Sequence, residues 1–342
     1  MKAVRIHEHG GPEVLRYEDA PEPKPRADEV VVRIKACSLN HLDLWVRGGL
    51  PGLKLQMPHV LGSDAAGEVV EVGAACDQVK AGDRILVAPG KSSRRNAYTA
   101  AGHDNWSPDY GLFGHHYPGL QAEYVAIPEA NALPIPGDLN FEQAASIPLV
   151  FLTAWHMLVG IAKIRMCEDV LIIGGSSGVG VAAIQIARLF HCRVIATAGG
   201  EGKMAKAMEL GADHVIDHYK QNIREEVRRL TNRRGVDIVI EHVGKATWEQ
   251  SSACLAHHGR LVTCGATTGT EVPLSLAHLF AKHLSLNGSF MGAIGELYDV
   301  LKVFDRGFLK PVIDRTFPMA EIRGAHEHLG NKKQFGKVVV VT

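Results

Sequence analysis

The plainest chemistry in this chain lies in a glycine turn. Val170-Leu-Ile-Ile runs into Gly174, Gly175, Ser176, Ser177, Gly178, Val179 and Gly180, and then into the apolar-periodic Val181-Ala-Ala-Ile-Gln-Ile-Ala-Arg-Leu-Phe. A buried strand, a glycine turn and a helix in that order leave backbone N–H groups free at the positive helix end, where a pyrophosphate can bind. Gly174 and Gly175 allow the tight turn, Gly178 the close approach of a ligand, and Gly180 close packing of the helix. Serines at 176 and 177 break the strict G-x-G-x-x-G spacing, so the reading rests on the turn's place at the head of a strand–helix alternation. The next strand runs Arg193-Val-Ile-Ala-Thr-Ala198-Gly199-Gly200-Glu201-Gly202-Lys203. An acid near its end would hold the ribose hydroxyls of NAD and repel a 2′-phosphate. Ala198 stands there instead and Lys203 follows, so NADPH (NADP) is the expected cofactor. The alternative is a solvated Lys203, with Glu201 on the ribose.

Metal chemistry is not expected. The six cysteines include no C-x-x-C pair and fit neither a disulfide framework nor a cysteine-built zinc site, so reduced, mostly buried thiols are the expectation. Eighteen histidines include the tempting sets His115-His116, His257-His258 and His326/His328, but none has a second cluster of ligands beside it.

The elements that must position this turn follow from the wider pattern. At 342 residues the chain has room for roughly two domains of about 150 residues each, with a cleft between them. The first 90 residues are β-rich, with short β-branched runs between Gly and Pro, and read as a compact barrel-like domain, the first domain being taken as residues 1–150. Residues 91–118 change to a polar, aperiodic texture that marks a long surface lobe. Residues 151–290 alternate strand-like and helix-like runs, the rhythm of a doubly wound parallel sheet. Residues 291–342 end in Lys337-Val-Val-Val-Val, a strand expected to rejoin the first domain. The overall class is α/β. Thirty-seven basic and 37 acidic residues cancel, so no global charge draws the chain to nucleic acid or an anionic membrane. The start is charged and lacks a secretory core, which suggests a cytoplasmic protein. The apolar stretch Ala144 to Ala162 contains Pro148, Thr153, His156 and Gly160 and is read as a buried strand-turn-helix rather than a membrane span.

Along essentially its whole length the chain resembles the medium-chain dehydrogenase/reductase superfamily. The resemblance is carried by Gly62-Ser-Asp64-Ala-Ala-Gly67-Glu-Val-Val-Glu-Val-Gly73, Val79-Lys-Ala-Gly82-Asp83-Arg-Ile, Ala122-Glu123-Tyr124-Val, Leu152-Thr153-Ala-Trp, the glycine turn, and Gly336-Lys337-Val-Val-Val. It implies a GroES-like β-rich catalytic domain beside a Rossmann domain. Zinc-type alcohol dehydrogenases of this superfamily hold a catalytic metal where this chain has Asn40 beside His41, Ser63 beside Asp64, and Leu149. Their proton-relay hydroxyl is replaced by Leu42. The four cysteines of their structural-zinc lobe correspond to Ser93, Asn96, Thr99 and Ser107, so zinc is expected at neither place. Trp106 and Tyr110 are expected either to pack where that metal would sit or to form an interface.

Asn40, Asp43 and Gly62-Ser-Asp are instead similar to the zinc-independent quinone oxidoreductase branch, which reduces quinones or activated alkenes with NADPH. That resemblance implies Asn40, Asp43 and Thr153 at the reacting centre. Asn40 could equally cap a turn, Asp43 could bond only to backbone, and Thr153 could be a buried helix-start hydroxyl. Trp45 and Ser63 are candidates for the acceptor pocket. His41, Thr153, Gly265, Ala266, Thr267, Phe290 and Met291 join the glycine turn and Lys203 as cofactor candidates, although Phe290 and Met291 could be core. Three functions stay open: an NADPH-dependent reductase of quinones, enones or related carbonyls; an alcohol or aldehyde dehydrogenase with an unconventional metal set; and a non-catalytic NADPH-binding protein. The implied partner is a small-molecule substrate, and the apolar-rich segment from Glu271 to Gly288 implies a homodimer or homotetramer.

Overall fold

The computed structural model of the chain describes residues 1–92 and 95–342, which form two compact units: Met1–Leu149 with Ala293–Thr342, and Val150–Gly292. The first unit opens with the strands β1 (Lys2–Ile6), β2 (Arg16–Asp19), β3 (Glu29–Leu39), β4 (His59–Val60), β5 (Asp64–Val72), β6 (Arg84–Val87), β7 (Gly90–Lys91), β8 (Gly111–Leu112), β9 (Tyr124–Pro128) and β10 (Ala132–Pro134). Between them lie α1 (His41–Gly48) and α2 (Ala97–Ala100), and α3 (Phe141–Ala145) follows β10. β3 is the hub of the sheet. Its Val30, Val32, Ile34, Cys37 and Leu39 are all buried, as its run of β-branched and apolar residues requires. β5 lies beside it with Ser38 opposite Asp64, and β9 pairs with its first half.

The segment read as strand-turn-helix is helical instead. After α3 comes α4 (Pro148–Trp155), continued by a π-helical turn over His156–Ile161. An apolar run cannot by itself separate a buried strand from a buried helix. Pro148 opens the helix, a position where its missing N–H costs nothing.

The second unit alternates β11 (Asp169–Ile172), α5 (Gly178–Leu189), β12 (Arg193–Ala198), α6 (Glu201–Glu209), β13 (His214–Asp217), α7 (Ile223–Leu230), β14 (Val236–Glu241), α8 (Trp248–Ala253), β15 (Leu255–Thr263), α9 (Leu276–Ala281) and β16 (Ser285–Gly288). All six strands are parallel, in the order β13-β12-β11-β14-β15-β16. Numbered from β11, this is the 3-2-1-4-5-6 order of the Rossmann sheet, whose ligands bind at the carboxyl ends of the strands where the order reverses. The reversal falls at β11, so the turn after it is the one placed to bind. Of the six free cysteines three are buried, but Cys167, in the left-handed turn before β11, is exposed, contrary to the expectation of mostly buried thiols.

The tail supplies α10 (Ile294–Asp305), β17 (Ile313–Pro318), α11 (Ile322–Gly330) and β18 (Lys337–Val341). β18 inserts between β3 and β17, antiparallel to β3 with Val338 opposite Leu39. Three neighbouring strands, β5, β3 and β18, therefore bring Asp64, Asn40 and Lys337 to one end of one sheet. Among the described residues, no helix is long and apolar enough to cross a membrane.

Candidate active site

The glycine turn is built as its sequence suggests and is tied down by neighbours that the sequence does not single out. Gly174 takes a φ of 68°, in the left-handed region that glycine enters without strain. Its N–H donates to Thr197 Oγ1 at 2.9 Å, and the Gly175 N–H donates to the Thr197 carbonyl at 2.7 Å. Ser177 caps α5, its hydroxyl accepting from the Gly180 N–H at 2.9 Å. With no intrahelical partners, the N–H groups of the first helical turn are the anion-binding set of the fold. A Cβ on Gly180 would stand 2.2 Å from the Gly174 carbonyl oxygen, so only glycine lets α5 pack on the turn. His242, just after β14, hydrogen-bonds Ser177 Oγ at 3.1 Å, and burial lowers the pKa of its imidazole. A Cβ at Gly174 would meet that ring at 2.9 Å.

At the tip of β12 the acid is indeed missing. Tyr219 lies against Gly199, where a Cβ would come within 2.1 Å of the ring, and yet it is 78% exposed, a flat aromatic surface beside the strand end. His218 sits edge-on to Tyr219 at 4.5 Å between centroids. Burial lowers the His218 pKa, as does, to a smaller degree, the nearby Lys203. Lys203 is therefore close to the strand tip. Elsewhere in this unit Thr153 is buried on α4 with its hydroxyl 3.8 Å from Met291 Sδ. The Thr267 hydroxyl donates to the His242 carbonyl at 3.2 Å, which holds Gly265, Ala266 and Thr267 beside the turn after β14. Met291 is buried in the left-handed region with φ 55°, whereas Phe290 is 53% exposed and so is not core. A cavity of ≈ 300 Å³ between α6, β13 and α7 is lined by none of the predicted residues and lies away from the turn.

In the first unit Asn40, Asp43, Asp64 and Lys337 converge, all nearly or fully buried. Asp43 accepts the backbone N–H of Asn40 at 2.7 Å and that of Gly62 at 3.0 Å, bonding to backbone and stapling the start of α1 to the 62–64 turn. Burial pushes its carboxyl up to about 6, against the pull of those N–H groups and of Lys337. The Asn40 side chain does not cap α1. Its amide donates to Asp64 Oδ2 at 2.9 Å, and its oxygen accepts from Lys337 Nζ. Asp64 also receives Lys337 Nζ at 3.0 Å, Ser38 Oγ at 3.2 Å and the Leu149 N–H at 2.8 Å. The Ser63 hydroxyl is fully buried and donates to the Phe113 carbonyl at 2.6 Å, which spends its only hydrogen on the fold. His41 and Trp45 share one face of α1, their rings 6.3 Å apart and partly exposed.

The lobe at 95–118 is held by hydrogen bonds. Asn96 caps α2 and donates through its amide to Ser107 Oγ at 2.6 Å, Ser107 donates to Asp109, and Ser92 reaches the same carboxylate at 2.7 Å. Thr99 Oγ1 closes on the Asn96 carbonyl at 3.0 Å. Ser93 lies outside the described residues. Tyr110 is buried against Gly90, while Trp106 is half exposed and stacks on His103 at 4.3 Å.

Sequence reasoning brought Asn40 and Asp43 to one site and the turn residues to another. It missed Thr197, His242, Tyr219 and Lys337. Only Lys337 carried a signal, a charge opening an otherwise apolar strand.

The chain matches the alcohol dehydrogenase GroES-like domain family over residues 26–137 and the zinc-binding dehydrogenase family over residues 178–306. It is 30% identical to a quinone oxidoreductase of Pseudomonas aeruginosa over 99% of each chain. Among solved structures it is similar to an NAD-dependent alcohol dehydrogenase, with a TM-score of 0.97 and 45% identity over 100% of both chains. It is also similar to a crotonyl-CoA carboxylase/reductase in complex with NADP, with a TM-score of 0.93 and 26% identity over 100% of this chain and 95% of the other.

The zinc in one family's description does not fit the residues present. At the expected ligand positions Asn40 is engaged at both ends of its amide, Ser63 has given its hydrogen to a carbonyl, and Leu149 is apolar. Among the described residues no three His, Cys, Asp or Glu side chains are arranged to hold a metal. A dinucleotide does fit, because the N–H groups at the start of α5, beside the glycine turn, form an anion-binding set. With these sequence matches over a GroES-like unit and a Rossmann sheet, the protein is an oxidoreductase of the medium-chain dehydrogenase/reductase superfamily, whose members bind nicotinamide cofactors.

Proposed function

We propose that the protein is a zinc-independent, NADPH-dependent reductase that passes a hydride to a quinone, an enone or a related activated carbonyl. The observation that carries this reading is the closed Asn40–Asp64–Lys337 set, which ties Asn40, at one of the expected metal-ligand positions, into hydrogen bonds at both ends of its amide, while the other two positions hold Ser63, its hydroxyl bonded to the Phe113 carbonyl, and the apolar Leu149. NADPH, when bound, would supply the hydride, one proton with two electrons, that reduces the acceptor. A conjugated acceptor spreads the incoming charge onto its oxygen and needs a hydrogen-bond donor there rather than a Lewis acid. Asn40 has such a donor, since one of its two amide hydrogens goes to Asp64 and the other has no partner among the described residues. Water then supplies the proton that completes the reduced product. The residues of the α5 turn bind the pyrophosphate, and Thr153, Gly265, Ala266 and Thr267 are the contacts for the nicotinamide half.

Lys203 with His218 at the β12 tip supports NADPH over NADH. We expect NADPH to bind more tightly, and Lys203→Ala to weaken NADPH by about tenfold with NADH nearly unchanged, since a charge-assisted phosphate contact is lost. Titration of nucleotide fluorescence measures both constants; equal constants in the wild type contradict the assignment. An acceptor screen that follows NADPH absorbance over quinones, enones, aldehydes and simple ketones tests the reaction itself.

A second reading, oxidation of alcohols with NAD, is favoured by the 45% identity to an NAD-dependent alcohol dehydrogenase. It requires turnover of simple primary alcohols, which the same screen run in reverse detects.

The protein is further proposed to act as a homodimer or a dimer of dimers. β16 is an open parallel edge, and Leu276 and Phe280 on the neighbouring α9 are 66% and 71% exposed. Apolar side chains beside an unpaired strand edge are normally covered by a partner. Sedimentation at micromolar concentration should show no monomer; a monomer there contradicts this assembly.

A further inference from the structure

We propose that Lys337 is a positioning residue: with Asp64 it locks the Asn40 side-chain amide in a single orientation and so fixes the one Asn40 N–H left over for the acceptor oxygen. The inference rests on the reading of Asn40 given above and extends it to a residue 297 positions away in sequence.

A side-chain carboxamide has an oxygen that only accepts and a nitrogen that only donates, and its two ends are nearly the same size. Burial alone does not decide which end points where, but charge does. Lys337 Nζ, with three hydrogens and no acceptor, faces Asn40 Oδ1; Asp64 Oδ2, which only accepts, faces Asn40 Nδ2 at 2.9 Å. A flipped amide would set its oxygen against a carboxylate and its NH₂ against an ammonium. Both contacts would be repulsive, in surroundings where Asp64 is fully buried and the Lys337 side chain is 3% exposed. The orientation is therefore dictated, and with it the direction of the second N–H.

Neutralising Asp64 does not account for the lysine's second contact. Asp64 already accepts from Ser38 Oγ, Asn40 Nδ2 and the Leu149 N–H, and Lys337 could satisfy its carboxylate without touching Asn40. Its bond to Asn40 Oδ1 gives that oxygen the one partner it has among the described residues, and an ammonium there draws electron density from the amide and strengthens its N–H groups as donors. The sheet register places all three groups: Ser38 opposite Asp64 on one side of β3 and Leu39 opposite Val338 on the other set Lys337 across from Asn40.

The test compares Lys337→Met, Lys337→Gln and the double variant Asp64→Asn/Lys337→Met. Lys337→Gln keeps a neutral donor for Asn40 Oδ1. The double variant removes both charges, so it remains informative where Lys337→Met alone leaves a buried unpaired carboxylate and folds poorly. Two readouts are taken: the orientation of Asn40 in crystal structures of the variants, and steady-state kinetics with NADPH and either 1,4-naphthoquinone or 2-cyclohexen-1-one. The double variant should show Asn40 turned away from, or split about, its wild-type position, with kcat lowered about 30-fold and the KM for NADPH within threefold. Lys337→Gln should keep the amide in place and recover most of kcat. Asn40 unmoved with kcat within twofold in the double variant overturns the proposal, as does a loss confined to KM. If the wild type turns over neither acceptor, the reductase reading fails, and the crystallographic arm still decides whether Lys337 sets the amide.

Discussion

Replacing Asp64 with Ala should destabilise the first unit more than almost any other single polar substitution in it. The carboxylate accepts four hydrogen bonds, from Ser38, Asn40, Leu149 and Lys337, and it is the only carboxylate within salt-bridge distance of the Lys337 ammonium among the described residues. Removing one partner of a buried pair leaves the other charge uncompensated, a loss of about 3–5 kcal/mol, whereas Asp64→Asn keeps the shape and loses less. Urea unfolding read by circular dichroism gives the difference in midpoint. A shift equivalent to under about 1 kcal/mol for Asp64→Ala would show that solvent or rearrangement already satisfies Lys337.

The second large effect is expected at Gly180. Its missing Cβ leaves room for the Gly174 carbonyl oxygen and the Gly175 Cα, which a methyl group would approach to 2.2 and 2.8 Å. Neither atom is the end of a flexible side chain, so Gly180→Ala must push α5 off the turn. Overpacking of this kind costs about 1–3 kcal/mol and moves the N–H groups that bind phosphate, so nucleotide affinity should fall by about 100-fold or more. Gly295→Ala is the control. It lies in α10 with nothing within 4 Å of the added Cβ, and alanine should leave stability unchanged or raise it by up to about 1 kcal/mol. Nucleotide binding within threefold of wild type in Gly180→Ala would contradict the role given to the turn.

What the sequence revealed and what it hid follow the range of the interactions. The glycine turn was legible because strand, turn and helix are consecutive, and Ser177 caps the helix it precedes. The alternation from β11 to β15 was legible for the same reason. Asn40 and Asp43 stood out through the resemblance to the quinone oxidoreductase branch, and the bond from the Asn40 N–H to Asp43 is local. The partners of the Asn40 side chain were hidden, because Asp64 and Lys337 reach it only through the pairing of β3 with β5 and β18. Thr197 and His242 were hidden likewise, since each meets the turn from a different strand. The helix after Pro148 was misjudged because a continuous apolar run has no period to distinguish helix from strand. In the lobe the loss of cysteines was plain, but its replacement by Asn96, Ser107 and Asp109 depends on side-chain hydrogen bonds that spacing does not specify.

If hydride transfer here proceeds without a metal, removing every metal ion should leave the activity intact. Protein stripped with a strong chelator, verified metal-free by elemental analysis, is assayed with NADPH and a small quinone or enone, and then with a simple primary alcohol and oxidised cofactor. Reductase activity should stay within about twofold of the untreated protein, with negligible alcohol oxidation before or after adding zinc, because no step calls on a Lewis acid. Stoichiometric zinc in the purified protein, with activity that vanishes on its removal and returns on its addition, would contradict it.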